Sequence, residues 1–492
     1  MNHYLIAVGG TGAKVAESVL HLAAVGLMTG KSLHIIFVDQ DRSNGNLGRT
    51  QVLLDTYSFC KKIGFSDSSD IFKAEVTKSS PPVWSPIPDM NASLKQVVGY
   101  NLIPSDKEAI RGLYDVLFSE AEKQTPLDEG FRGHPSIGAA AFFKAVNLGE
   151  EEPWMTLASK VRQDTSSGDA VKIFVAGSIF GGTGAAGVPT IARLLKDKLI
   201  KADVKEAHLS IGASLILPYF NFLEMQGQTP SSDQNQRTLV AKADNFLVKT
   251  KVALRYYEAN QLLRVFRSLY VIGNDTPKAV GEYSIGSVSQ RNDAHAIELL
   301  SALAAREFFM NDSKDGNVKL AARKSASAIE WEDFPDHRVM KQRLADYLRF
   351  AFVYLAQYEP IVQCVSSIKA CKIPWLLDYF GGALPEESLR SLNKLGEYLR
   401  SYLTWIAEIH NTANQEVNLF NWKLFSEKSE NRMQLLTDLR LEDLSQLVTG
   451  TDGYGLPGAM DIWHEVSAAH GRGLADFLMA LYTASKMKAR ER

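Results

Sequence analysis

Cysteine is scarce in this chain. Cys60, Cys364 and Cys371 are the only three in 492 residues, too few and too scattered for a disulfide framework or a four-cysteine zinc site. A reducing cytoplasm is the simplest setting for such a sequence. Cys364 and Cys371 stand about two helical turns apart and are expected in a core. Long apolar runs are missing too. None approaches the roughly 20 residues that a membrane-crossing helix needs, so no membrane span is expected. The opening residues lack the basic, apolar, small-residue order of a signal peptide. Charge of one sign is also lacking: the net charge of −2 excludes nucleic-acid binding driven by charge alone. There is no low-complexity tract, and no internal repeat apart from one short glycine motif that occurs twice. Hydrophobic residues at 45% and charged residues at 22% fit an ordinary globular protein. The length leaves room for two or three domains.

What is present centres on residues 173–193. The apolar run Ile173-Phe174-Val175-Ala176 gives way to Gly177-Ser178-Ile179-Phe180-Gly181-Gly182-Thr183-Gly184, and then to an amphipathic pattern. That order predicts strand, tight loop, helix. Glycines let the backbone approach a ligand closely, since no Cβ intervenes. The helix start offers unpaired N–H groups and a positive dipole end to an anion, and Thr183 adds a hydroxyl. The chain opens in the same way: Tyr4-Leu5-Ile6-Ala7-Val8, then Gly9-Gly10-Thr11-Gly12, then a helical pattern from Ala13 to Leu20. Either loop alone also fits a strand-to-helix turn with no ligand. Two together suit one polyphosphate held at the carboxyl ends of neighbouring parallel strands. Leu33–Val38 reads as a further buried parallel strand by its continuous apolar run. The expected fold is α/β, with a Rossmann-like parallel sheet.

On these two loops the chain resembles the tubulin and FtsZ superfamily of GTP-binding filament proteins, as a divergent bacterial tubulin-like member. That family pairs a glycine-rich first loop with a later Gly-Gly-Gly-Thr-Gly-x-Gly loop. Here Gly181, Gly182, Thr183 and Gly184 match, while Phe180 and Ala186 replace the first and last glycines. Pro189 stands where FtsZ-type sequences also carry proline. The resemblance implies GTP or GDP with Mg²⁺ as ligands, cradled by Gly9, Gly10, Thr11 and Gly12 and by Gly181 to Gly184. Past the second strand come Asp39 and Asp41. An acid there commonly meets a ribose hydroxyl, and FtsZ-like chains read Asn-Thr-Asp at the same place. A solvated strand-end carboxylate is the alternative for each. Pro135 and Gly138 follow the order of the family's Pro-x-x-Gly loop over the terminal phosphate, and Pro135 also suits a helix start. The strand 209–217 ends in Pro218-Tyr219-Phe220-Asn221-Phe222-Leu223-Glu224, where two extra residues disturb the match of Glu224 to a ribose-contacting glutamate.

Asn274, after the strand 268–272, resembles the family's Asn-Asp ending. An amide there serves donor and acceptor edges of a base, and an Asn-Asp turn explains it as well. A central helix is expected over 289–310, with Asn292 as base contact or helix cap. His295 is read as structural. Trp331-Glu332-Asp333-Phe334-Pro335-Asp336 resembles the FtsZ loop Asn-x-Asp-Phe-Ala-Asp-Val. By that resemblance Asp333 and Asp336 are the catalytic residues, orienting water in the nucleotide pocket of the next subunit. Trp331 and Pro335 depart from the pattern. Acidic capping of a helix starting near His337 is the alternative.

Elsewhere, the proline-rich residues 79–88 read as an exposed connector, 106–124 as one helix, 237–265 as a long helix and 337–447 as mostly helical. Tyr347, Phe350, Phe352, Tyr354 and Leu355 suit a core or a partner contact. Residues 449–458 read as a linker before a last helix, 460–488. The resemblance covers roughly residues 1–340. The implied organisation is a nucleotide-binding domain over 1–310, an acidic loop with a helical second domain over 311–447, and a linker with C-terminal helix over 448–492. The function so implied is GTP binding with head-to-tail self-association and GTP hydrolysis at the subunit interface. A protein partner through the helical C-terminal region is also open. Two rivals remain. Gly10-x-Gly12 with Asp39 is a partial dinucleotide fingerprint, with Val15 at the third glycine position, which suits an NAD(P)-dependent oxidoreductase. A non-catalytic, nucleotide-gated scaffold is the other. Gly30-Lys31-Ser32 resembles the end of a Walker loop but precedes a strand, and reads as a turn.

Overall fold

The computed structural model describes residues 2–28, 32–65, 69–89, 91–124, 126–128, 130–131, 133–145, 150–222, 246–274, 278–280, 287–311, 317–320, 328–364, 373–411, 417–420, 448, 454–455, 459–486 and 488–489. Strand β1 (Asn2–Val8) leads directly into helix α1 (Gly9–Ala24). Then come β2 (Ser32–Val38), α2 (Gly45–Gly64) and β3 (Glu75–Trp84). Helix α3 (Pro135–Ala145) precedes β4 (Val171–Ser178) and α4 (Gly182–Lys201). They are followed by β5 (Leu209–Ile216), α5 (Phe246–Ala259), β6 (Ser268–Ile272), α6 (Ala296–Met310) and β7 (Asn317–Leu320). The seven strands form one parallel sheet in the order β3-β2-β1-β4-β5-β6-β7. The fold is therefore the α/β, Rossmann-like arrangement that the strand and helix periodicities imply.

Strand side chains alternate between two cores. Tyr4, Ile6, Val8, Ile173 and Val175 face α3, α4, α5 and a helix at Trp154–Ser166. Leu5, Ala7, Ile35, Phe37, Phe174 and Ala176 face α1, α2 and α6. The second core runs on without a break into helices α7 (His337–Val353), α8 (Glu386–Asn411), α9 (Ala459–Ala468) and α10 (Gly473–Ser485). Tyr347, Phe350, Phe352, Tyr354 and Leu355 are all buried there. The Tyr398 hydroxyl donates to Leu20 O at 3.1 Å and the Trp405 indole to Ser18 Oγ at 3.2 Å. The helical C-terminal region thus packs directly on the outer face of α1 and α2.

Several local expectations need correction. The proline-rich connector is in part strand: β3 continues to Trp84 at the sheet edge. Its pairing with β2 is interrupted between Lys78 and Val83, and Pro81 and Pro82 sit in that gap, where no ladder N–H is required. The 106–124 helix is two, Glu108–Leu117 and Glu120–Gln124. Of 237–265, α5 covers Phe246–Ala259, and Leu262–Val265 is a tighter turn. The central helix starts at Ala296, not near 289. His295 caps it, with its ring accepting from Ile297 N at 3.1 Å and its own N–H donating to Glu298 at 2.8 Å. The last helix is split into α9 and α10, with His470 at positive φ between them and Gly473, also at positive φ, opening α10. Cys364 is exposed rather than in a core. Cys371, Glu224 and most of the 449–458 linker lie outside the described residues. Among the described residues no helix is long and apolar enough to cross a membrane.

Candidate functional site

The sheet reverses its winding between β1 and β4. On one side the order runs outward as β1, β2, β3, and on the other as β4, β5, β6, β7. At such a switch point the two loops leaving the strands part in opposite directions, opening a crevice at the carboxyl ends. Both Gly-Gly-Thr-Gly loops sit there. Gly9 opens α1 straight after β1, and Gly182 opens α4 after β4. The two loops touch: a Cβ built on Gly9 would lie 3.5 Å from Thr183 Cβ and 3.6 Å from Gly184 N. Two helix N-termini therefore face one cleft.

The cleft brings together Gly9, Gly10, Thr11, Asp39, Asp41, Gly181, Gly182, Thr183, Gly184 and Asn292. Several other residues singled out from the sequence are not in its lining. Gly12 packs between strands, where a Cβ would meet Ala176 O and Ala7 C at 2.7 Å. Gly138 presses α3 against the start of α4, 2.9 Å from Gly182 O by the same construction. Asn274 follows β6, two strands away from β4. Gly10 backs onto the amide side chains of Asn44 and Asn46, whereas Gly181 leaves space that a ligand would use. A Cβ on Gly10 points at the Asn44 amide at 3.2 Å, and one on Gly181 meets only Ser178 Oγ, at 3.1 Å.

Two carboxylates lie beside the loops. The Thr183 hydroxyl donates to Asp39 Oδ1 at 3.4 Å, and Asp41 N donates to the same oxygen at 3.2 Å. Burial pushes the Asp39 carboxyl up to about 7, and the neighbouring Asp41 pushes the same way. Asp41 accepts from Ser43 N at 3.1 Å and Ser43 Oγ at 2.8 Å. Among the described residues no set of three or more His, Cys, Asp or Glu could hold a metal ion by itself.

Further lining residues were not picked out from the sequence. Asn44, Asn46 and Gln290 form an amide cluster with Asn292. Asn44 Nδ2 donates to Gln290 Oε1 at 2.7 Å, and Asn292 N to Asn46 Oδ1 at 2.9 Å. Asn44 also caps α2 by accepting from Asn46 N and Leu47 N. The Asn44-Gly45-Asn46 run just before a helical pattern was the available signal. Phe180, just before Gly181, packs with Phe220 and Phe246 as an aromatic wall. Lys14 was missed as well. Its Nζ lies 2.5 Å from Glu298 Oε1 on α6, and the Tyr219 hydroxyl donates to that oxygen at 2.5 Å. Thr11 is hydrogen-bonded to Tyr219 in turn.

A second ionic cluster lies behind the cleft. Arg49 on α2 holds Glu17 of α1 at 2.6 Å and Glu408 of α8 at 3.2 Å, and Glu408 accepts from Ala294 N at 2.8 Å. Burial pushes the Glu17 carboxyl up to about 7 against the pull of Arg49.

Asp333 and Asp336 are at the other end of the domain. Arg306 near the end of α6 donates to Leu27 O, just past α1, at 2.8 Å and to Asp336 Oδ2 at 2.8 Å. Helix α1 begins in the cleft and has 16 residues, so it separates these acids from the glycine loops by about 24 Å. Asp336 precedes α7 with a positive φ of 53° and makes no side-chain cap; Arg306 holds its carboxylate instead. Asp333 accepts from Glu330 N at 2.9 Å.

No protein-family model and no curated protein matches the chain. Among solved structures it is similar to the tubulin-like protein CetZ from Methanosaeta thermophila strain DSM 6194, at 14% identity and a TM-score of 0.22. That likeness covers 56% of this chain and 46% of the other, and is too slight to carry an argument about fold or function.

Proposed function

We propose that the cleft binds a guanine nucleotide, and that the chain associates head to tail so that GTP is hydrolysed between subunits. The observation that carries the reading is the meeting of two Gly-Gly-Thr-Gly loops, each opening a helix, at the switch point of a parallel sheet. Two sets of free N–H groups and two positive helix ends then serve one polyphosphate. The amide cluster of Asn44, Asn46, Gln290 and Asn292 suits a heterocycle with mixed donor and acceptor edges. The two acids beside the loops would repel phosphate oxygens unless a cation lay between them. Asp39 and Asp41 are hard oxygen donors of the kind that hold Mg²⁺ together with substrate phosphates, and the ion would neutralise charge on the transferring group.

Asp333 and Asp336 cannot reach the cleft of their own chain across the length of α1. A second copy stacked in the same orientation would bring them to it, and such heterologous contacts build open filaments. Orienting water there would be their part.

Calorimetry with GTP, ATP and NAD⁺ tests the binding, with light scattering for assembly. Gly181→Trp is the matching variant, because its side chain would enter the cleft without striking backbone. GTP binding that is lost in Gly181→Trp, with GTP-dependent scattering, is the expected result. A preference for NAD⁺ would overturn the reading in favour of a dehydrogenase. GTP binding without scattering would remove the assembly and leave a nucleotide-gated scaffold.

A further inference from the structure

Among the described residues that line the cleft, Lys14 is the one cation. It stands three residues after Thr11 and four after Gly10 in α1, so it shares their face of the helix. Its side chain is 4% exposed, and its Nζ rests on Glu298, which is fully buried. Burying two charges is costly unless their remaining hydrogen bonds are met. Glu298 meets this with two further donors, the Tyr219 hydroxyl on Oε1 and His295 N on Oε2. The carboxylate therefore keeps two hydrogen bonds if the ammonium leaves. Lys14 is placed differently. It lines a cleft framed by two helix N-termini, within which an anion would sit.

We infer that Lys14 is a direct contact for the anionic group of the ligand, and that Glu298 is the counter-ion with which that group competes. Filling the cleft moves the ammonium from Glu298 to a phosphate oxygen, and Tyr219 and His295 N keep the carboxylate satisfied. This rests on the reading of the cleft as a nucleotide site and deepens it. It sets the phosphate end of the ligand against α1, and makes Glu298 a positioning residue that weakens binding in the resting protein.

The test is calorimetry on the full chain with inorganic pyrophosphate and with GTP, both with Mg²⁺, for wild type, Lys14→Met, Glu298→Gln and the double variant. A charge-assisted hydrogen bond lost from a buried site weakens binding by roughly ten- to hundredfold, and that is expected for Lys14→Met with both ligands. Glu298→Gln removes the competitor, so binding tightens several-fold. A merely structural role for the pair would not produce that opposite sign. The double variant binds as weakly as Lys14→Met. It also removes both buried charges together, so if Lys14→Met does not fold, the double variant measured against Glu298→Gln must show the same tenfold or greater loss. Wild type binding with Lys14→Met within twofold of it, or Glu298→Gln weakened as much as Lys14→Met, would overturn the inference alone. Wild type binding neither ligand would overturn the nucleotide reading and the inference with it.

Discussion

Gly184→Ala is the sharpest perturbation of the second glycine loop. A Cβ at Gly184 would stand 2.2 Å from Ser178 O and 2.9 Å from Ser178 N. Both are backbone atoms of the last residue of β4, so no rotamer change relieves the clash. The strand-to-helix turn itself has to open, and overpacking of a well-packed site costs about 1–3 kcal/mol, sometimes more. We expect a loss near the top of that range, about 3 kcal/mol. Gly48→Ala is the matched control. Gly48 is exposed on α2 with nothing within 4 Å of its Cβ position, so alanine should stabilise the helix by ~0.5–1 kcal/mol. Urea unfolding followed by circular dichroism reads both. With a slope of about 3 kcal/mol/M, Gly184→Ala lowers the midpoint by about 1 M and Gly48→Ala raises it by about 0.2–0.3 M. A Gly184→Ala midpoint equal to wild type would refute the close backbone approach on which the cleft geometry depends.

Arg49→Ala leaves Glu17 and Glu408 buried without their cation, so thermal unfolding should show a loss of about 3–5 kcal/mol, partly recovered by adding Glu17→Gln; a loss under about 1 kcal/mol would contradict the cluster. His21 packs against Trp405 at 4.8 Å between α1 and α8, and burial, with Arg49 adding to it, lowers its pKa from 6.5 to about 3. Its folded pKa lies below its unfolded one, so the stability it allows is complete above about pH 6.5 and is lost towards pH 3, by ~1.4 kcal/mol per pH unit. His3 and His34, lowered to about 4, act in the same sense, whereas Glu17 and Asp39, raised to about 7, lose stability as pH rises towards 7. The His21 share is isolated by comparing His21→Phe with wild type: its acid limb between pH 6 and 4 should be flatter by about 3 kcal/mol, and parallel limbs would rule this out. Asp336→Asn breaks an exposed ion pair with Arg306, so stability should change by less than about 1 kcal/mol and GTP affinity not at all, while GTP turnover that rises with protein concentration is lost; equal loss of binding would place Asp336 in its own chain's site.

The parallel sheet was legible because its strands are continuous apolar runs that end in glycine or acid, as in Leu33–Val38 followed by Asp39. The motif residues nearest in sequence to those strand ends, Gly9 to Thr11, Asp39, Asp41 and Gly181 to Gly184, all lie on one cleft. Some readings failed on local detail and others on neighbours far along the chain. Asn292 was placed at a helix start, but His295 takes the cap because Glu298 completes a capping box with it. The prolines at 81 and 82 argued against a strand, yet an edge strand with an interrupted ladder accommodates them. Lys14 was not singled out, because nothing local to it shows a glutamate 284 positions later.

By itself the sequence determined the periodicities, the two glycine loops and the order of strands and helices, since all of these follow from local backbone preference and from which residues avoid water. Only the tertiary structure decided that the loops meet at one switch point, that an amide cluster and the Lys14–Glu298 pair complete the cleft, and that Asp333 and Asp336 stand a helix length from it. These are distances between segments remote in the chain. They are set by strand order and by the packing of α1 against α6 and α8, which no local pattern encodes.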